Sequence, residues 1–304
     1  MMRAVVIVLA LAAALCAALG IVVRQLATRD VPADQGMSPT IVTTLLHRPL
    51  WWAGTATAVL GYVFQALALA RGSLMLVQPL LVSSLLFALP ISARVARQRV
   101  SRADWSWAVL LTGGLAVFVL LAHPREGTPR PPVQAWAVVA AVVIPVVLIC
   151  VVGAARSAGT RRAVQLSIVV GVLFGIIAVL TKICMQRLED GGLWSLLMVP
   201  APYLLLLLGV VGTVVQQSAF HAGELQASVP TMLVLEPVVA VLLGVLVLGE
   251  ELDATGYALL ALPVAVAAMV AGTIALGRDS GALDEQIATA GPGPADDALR
   301  DRSH

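Results

Sequence analysis

Charge is what this chain has least of. Lys, Arg, Asp and Glu make up 12% of its 304 residues, about half the share usual in soluble domains, too little to cover a water-facing surface. The net charge of +2 is small and spread over short loops, so nucleic acid is not an expected partner. Cysteine is equally sparse: Cys16, Cys150 and Cys184 lie in or beside apolar runs, without metal-ligand spacing or an obvious pair, and read as small buried hydrophobes. The histidines, His47, His123, His221 and His304, fall in loops or at ends. None sits in a His-x-x-x-His arrangement, which argues against a metal-dependent membrane enzyme. No nucleophile with a neighbouring base, no glycine-rich phosphate loop and no nucleotide-binding segment is visible. Neither an enzymatic activity, ATP hydrolysis included, nor a cofactor is expected.

What is present is hydrophobic: 60% of the residues are apolar and the mean hydropathy is +0.96, values of an integral membrane protein embedded in a lipid bilayer. A bilayer core takes about 20 apolar residues per helix. That ruler gives an all-α bundle of nine expected spans, near 4–23, 50–70, 74–93, 105–122, 133–153, 163–182, 196–220, 228–248 and 255–276. The first has the basic start of a signal peptide but runs straight into Arg24-Gln25, so a retained helix is expected. Segments 25–49 and 183–195 are too polar and short to supply a tenth span. In alternate loops, thirteen Lys or Arg residues fall on one side and six on the other. The excess marks the cytoplasmic side, so the N-terminus is expected outside and the C-terminus in the cytoplasm, with the plasma membrane as the expected location. Residues 278–304, rich in Gly, Ala, Asp and Pro, read as a disordered cytoplasmic tail.

The chain repeats itself weakly. Gln65 to Pro79 and Gln216 to Pro230 share spacing at Gln65/Gln216, Ala68/Ala219, Gly72/Gly223, Leu74/Leu225 and Pro79/Pro230. The layout around them repeats as well. A first repeat of four spans (1–122), a connecting span (133–153) and a second repeat of four spans (163–277) describe the chain most simply. An odd connector inverts the second set relative to the first, the plan of many secondary transporters.

Against this apolar background Glu236-Pro237 stands out. Glu236 lies about nine residues into its span, roughly 12 Å deep in a core of about 30 Å, where a charge costs a few kcal/mol unless it faces a cavity or a partner. Pro237, with Pro230 before it, removes a backbone hydrogen bond and makes this helix a candidate for a kink, as Pro79 does in the first half. Glu236 reads equally as a substrate or coupling group and as one half of a permanent pair that locks helices. Lys182 and Arg24 occupy the last turns of their spans, where snorkelling to the interface is the default. Turned inward, Lys182 could pair with Glu236 or hold an anionic group. Gln65 and Gln216, with Gln217, are amides suited to a substrate or to bonds between helices; Gln78-Pro79 and Ser83-Ser84 are weaker candidates. Gly171-x-x-x-Gly175 reads as a close helix-packing face. His221 and Glu224 mark a short cytoplasmic turn. Glu250, Glu251 and Asp253 are expected outside, in water, without need of partners.

Leu235-Glu236-Pro237-Val238 followed by Leu248-Gly249-Glu250-Glu251-Leu252 resembles the closing portion of the second repeat in the drug/metabolite transporter superfamily, EamA-like members included. Val172-Leu173-Phe174-Gly175-Ile176, running to Thr181-Lys182, resembles the opening helix of that repeat. In the first half, Leu86-Phe87-Ala88-Leu89-Pro90 stands where the Glu-Pro pair would be, and Arg94 to Arg99 replaces the acidic loop. Nine spans rather than ten is similar to the NIPA-type magnesium-transporter branch. The resemblance implies two inverted helical repeats around a cavity open alternately to each side, as a monomer or a small oligomer such as a homodimer. The expected function is secondary transport of a small metabolite or drug-like solute, with Glu236, Gln65, Gln216 and Lys182 at the cavity. Divalent-cation transport ranks below it, because magnesium favours several oxygen ligands and only one carboxylate is embedded. A non-transporting assembly or regulatory subunit is the alternative of another class.

Overall fold

The computed structural model describes residues 2–28, 49–95, 100–125, 127, 133–222, 225–253 and 257–289. Its elements are α1 (Met2–Thr28), α2 (Pro49–Arg71), α3 (Leu74–Leu81), α4 (Ser84–Val95), α5 (Arg102–Leu121), β1 (His123–Arg125), α6 (Val133–Ala155), α7 (Gly159–Leu197), α8 (Ala201–Ala222), α9 (Leu225–Leu248), β2 (Glu251–Asp253) and α10 (Ala258–Thr289). Among the described residues, nine helical segments are long and apolar enough to cross a membrane, at the nine places where the sequence predicts them. Long aliphatic runs form helices here because a helix satisfies every backbone N–H and C=O within its own segment, which lipid requires.

The third span is two helices. α3 and α4 are separated at Val82–Ser83, where the amides of Val82 and Ser83 donate to the carbonyls of Pro79 and Leu80, three residues back, and the Ser83 hydroxyl also donates to Leu80 O at 2.6 Å. Such tightened turns follow where proline has already removed a helical donor. The sixth span is the opposite case. α7 covers 39 residues but is broken at Gly192 (φ 66°, ψ −170°); its part before the break, 159–191, is roughly 50 Å long at 1.5 Å per residue, well over a bilayer core. It therefore extends past Lys182, well beyond its apolar part, before it breaks. α10 likewise continues past Arg278 to Thr289, so the first part of the expected tail is helical; residues 290–304 lie outside the described residues.

α1 packs on α2 and on the α3–α4 pair; α7 packs on α8 and α9; α5 packs on α10, which also lies against α9. α6 leans on α7, while α2–α7 and α3–α9 contacts join the two groups. α7 and α9 approach closely at two glycines. A Cβ added at Gly171 would stand 2.6 Å from Leu235 Cβ, and one at Gly175 would stand 2.7 Å from Val239 Cβ. The Gly-x-x-x-Gly face is thus what brings the backbones of α7 and α9 together, on either side of Glu236. The outer surface is apolar: Val138 is 61% exposed, Ile149 70%, Leu207 57% and Leu260 79%, a belt suited to contact with lipid.

Candidate functional site

One end of the bundle is tied shut by polar groups, and its centre is Glu250. α9 ends at Gly249, whose φ of +67° is a left-handed conformation that glycine adopts at little steric cost. The Gly249 amide donates to Val245 O at 3.1 Å and the Glu250 amide to Gly244 O at 3.0 Å, so the chain turns back over the helix end. This carries the Glu250 side chain inward against Gly244, which leaves room for its carboxylate, and onto the start of α3. There the amides of Leu74 and Met75 donate to its Oε1 and Oε2 at 2.9 and 3.2 Å, while Ser73 caps the same helix by accepting from Leu76 N. An anion at a helix N-terminus is favoured by the free amides and the helix dipole together.

Lys182 completes the arrangement. Its Nζ donates to Glu250 Oε1 at 2.6 Å and to the Gly72 carbonyl at 2.9 Å. Lys182 is 2% exposed and Glu250 1%. Two expectations are corrected here. Glu250 is not in water without a partner, since the Gly249 turn folds it inward. Lys182 does turn inward instead of snorkelling, but its partner is Glu250 rather than Glu236. Glu251 and Asp253 are exposed, on a two-stranded ribbon in which β1 and β2 pair antiparallel, His123 opposite Asp253. At the same end Arg3 donates to the carbonyls of Val119 and Ala122, which close α5.

One turn from this network lies a cavity of about 860 Å³. It is walled by α1 (Ala13, Ala14, Ala17), α2, the α3–α4 break, α7, α8 and α9. Ala178 and Gln78 on its wall are each one turn from a member of the network, Lys182 and Leu74 respectively. Most of the lining is aliphatic. The polar exceptions are Tyr62, Gln65, Gln78, Ser84, Thr213 and Glu236. Thr213 donates to Gly209 O within its own helix, whereas Tyr62 bonds across to Thr181 at 2.8 Å.

Of the residues singled out from the sequence, Glu236, Gln65 and Pro237 line this cavity. Gln216, though on α8 with Thr213, is not part of the lining, nor are Lys182 and Pro79. Pro230 lines a separate cavity of about 620 Å³ together with Thr231 and Arg278. Glu224 lies outside the described residues, as does the side chain of Arg24. Tyr62 and Thr213 carried no signal in the sequence beyond a hydroxyl in an apolar span. The signal for Glu250 was the glycine before it, a helix stop that reverses the chain.

No family model matches the sequence, and no solved structure matches it. An uncharacterized protein of Corynebacterium glutamicum is 39% identical over 284 residues, spanning 90% of this chain and 95% of that protein. At that identity over nearly the whole of both chains, the protein belongs to the same family as this corynebacterial relative.

Proposed function

We propose that the protein is a secondary transporter of the drug/metabolite transporter type, which moves a small solute across the plasma membrane by alternating access. The observation that carries this reading is the 860 Å³ cavity between six membrane helices, with Glu236 on its wall and a buried polar seal one turn away. A carboxylate at that depth is costly, and a solvated, solute-sized space is the setting in which it is tolerated. The helix contacts support an arrangement of two inverted repeats: α1 with α2 and α3–α4 matches α7 with α8 and α9, and the last helix of each set, α5 and α10, pack together. Rocking of one set against the other would make and break the bonds by which Lys182 and Glu250 of the second set hold Gly72, Leu74 and Met75 of the first. The loop charges favour an orientation with the sealed end outside.

Reactivity of substituted cysteines tests the cavity. In a background lacking Cys16, Cys150 and Cys184, cysteines at Gln65, Leu233 and Glu236 should react with a water-soluble maleimide, and one at the lipid-facing Leu242 should not. Inertness at all three cavity positions favours a structural subunit and overturns transport. Proteoliposomes exposed to a cell metabolite extract and analysed by mass spectrometry should take up solute with the wild type and far less with Glu236→Gln. A magnesium-sensitive dye inside the vesicles should report no flux above protein-free vesicles; a clear magnesium signal would favour cation transport instead.

A further inference from the structure

Among the described residues, the cavity holds a charge without a counter-charge. Glu236 is the one carboxylate among its described lining residues, and no Lys, Arg or His lines it. Lys182, one turn beyond the wall, is already neutralised by Glu250 and held by the Gly72 carbonyl. Among the described residues, Glu236 has neither an ion pair nor a hydrogen bond. On the same cavity wall, Gln78 is 1% exposed, and its Nε2 has no hydrogen-bond partner. Leaving a buried amide donor unmade is costly, and natural proteins seldom do so without a reason.

The two groups ask for opposite things. A carboxylate calls for a cation, and an amide N–H calls for an acceptor oxygen. Tyr62 sides with Glu236. The Thr181 hydroxyl donates to Ile177 O at 2.8 Å, so its oxygen accepts the bond from the Tyr62 hydroxyl. The phenol proton is therefore in use, and the Tyr62 oxygen has only acceptor capacity left for a solute.

We infer that the cavity takes an amphipathic organic amine, its ammonium beside Glu236 and Tyr62, a carbonyl or hydroxyl oxygen at Gln78 Nε2, and its aliphatic body along the apolar wall. An anion would meet a carboxylate and no cation. A zwitterion such as a free amino acid would satisfy Glu236 only by burying its own carboxylate without a counter-charge, with a neutral amide at Gln78 as its donor. The inference rests on reading the cavity as the transport site and names the solute class for it.

Four probes with the same branched aliphatic body separate the groups: L-leucinamide, 3-methylbutylamine, L-leucine and 4-methylpentanamide. They are titrated calorimetrically against the full chain in lipid nanodiscs. Leucinamide should bind most tightly, with leucine and 4-methylpentanamide weaker by about tenfold or more. Glu236→Gln should weaken both amines by about tenfold or more. Gln78→Leu should bring leucinamide down to the level of 3-methylbutylamine and leave the latter unchanged. Leucine binding as well as leucinamide overturns the inference, as does equal binding of 4-methylpentanamide, which would indicate a neutral solute. Failure of both amines to bind at millimolar concentration overturns it too. The ranking on the wild type decides the matter even if a variant misfolds. Binding and transport fail separately: amines that bind but are not taken up by proteoliposomes keep the site and overturn transport, whereas uptake of other solutes without amine binding does the reverse.

Discussion

Glu236 and Glu250 belong to the same stretch of chain, one inside α9 and one just past its end, yet the protein treats them oppositely. Glu250 is enclosed and answered by two amides and a lysine. Glu236 is only partly buried, faces open space and has no answering group among the described residues. A carboxylate whose bonds are all made inside the protein is structure; one whose bonds are left for something else is a site. The same distinction separates Lys182, which is consumed by the seal, from a lysine free to meet a solute.

The largest effect should come from breaking the satisfied member. Lys182→Ala or Glu250→Ala leaves one buried charge uncompensated, a loss of about 3–5 kcal/mol. It is measured as unfolding in mixed detergent micelles. The double variant Lys182→Met/Glu250→Gln should recover much of that loss, because the carboxamide oxygen that replaces the carboxylate can still accept from the Leu74 amide. In the cycle closed by the matching single variants Lys182→Met and Glu250→Gln, a coupling energy of roughly 0.5–3 kcal/mol is expected; strict additivity would show that the two charges do not depend on each other.

Next comes the packing that holds Glu236 in place. Gly171→Ala and Gly175→Ala force a methyl against Leu235 and Val239 at distances no side chain keeps. Such overpacking should cost about 1–3 kcal/mol in the same assay. Because the displaced residues flank Glu236, cysteine reactivity at position 236 should change in parallel.

Glu236→Gln should show the reverse pattern. With no partner to lose, the variant should keep its stability to within about 1 kcal/mol, or gain, since a charge is removed from an apolar setting. Uptake should fall while the fold does not. A loss of stability as large as that of Lys182→Ala would mean that Glu236 is paired after all and erase the contrast between the two carboxylates.

The spans were legible because apolar length is a local property, readable from each window alone. The Gly171–Gly175 face was legible for the same reason, as a spacing on one helix. Glu250 was misread because its partners are far away in sequence: Leu74 is 176 residues back and Lys182 68. Nothing near Glu250 but the Gly249 turn hinted at burial, and its acidic neighbours Glu251 and Asp253 do face outward. The extension of α7 past Lys182 was missed because a ruler for lipid-spanning length is blind to a helix that leaves the lipid. Gln78 reads as a weak candidate in the sequence, since what gives it meaning, an unmade bond on a residue that lines a cavity, exists only once six helices have closed around that space.

The smallest effect is expected from an exposed ion pair at the sealed end. Arg125 Nη2 and Asp253 Oδ2 are 2.5 Å apart, nearly the distance of the Lys182–Glu250 pair, but their side chains are 68% and 53% exposed. Water screens both charges and solvates either one when the other is removed, so an exposed pair contributes about 0.2–1 kcal/mol. Asp253→Asn should therefore change unfolding by less than about 1 kcal/mol and should lose even that in high salt, whereas the penalty of Lys182→Ala should persist. The β1–β2 backbone pairing, which does not use the carboxylate, should survive the change. If Asp253→Asn proves as costly as Lys182→Ala, distance rather than desolvation governs these pairs, and burial is not what makes Glu250 structural.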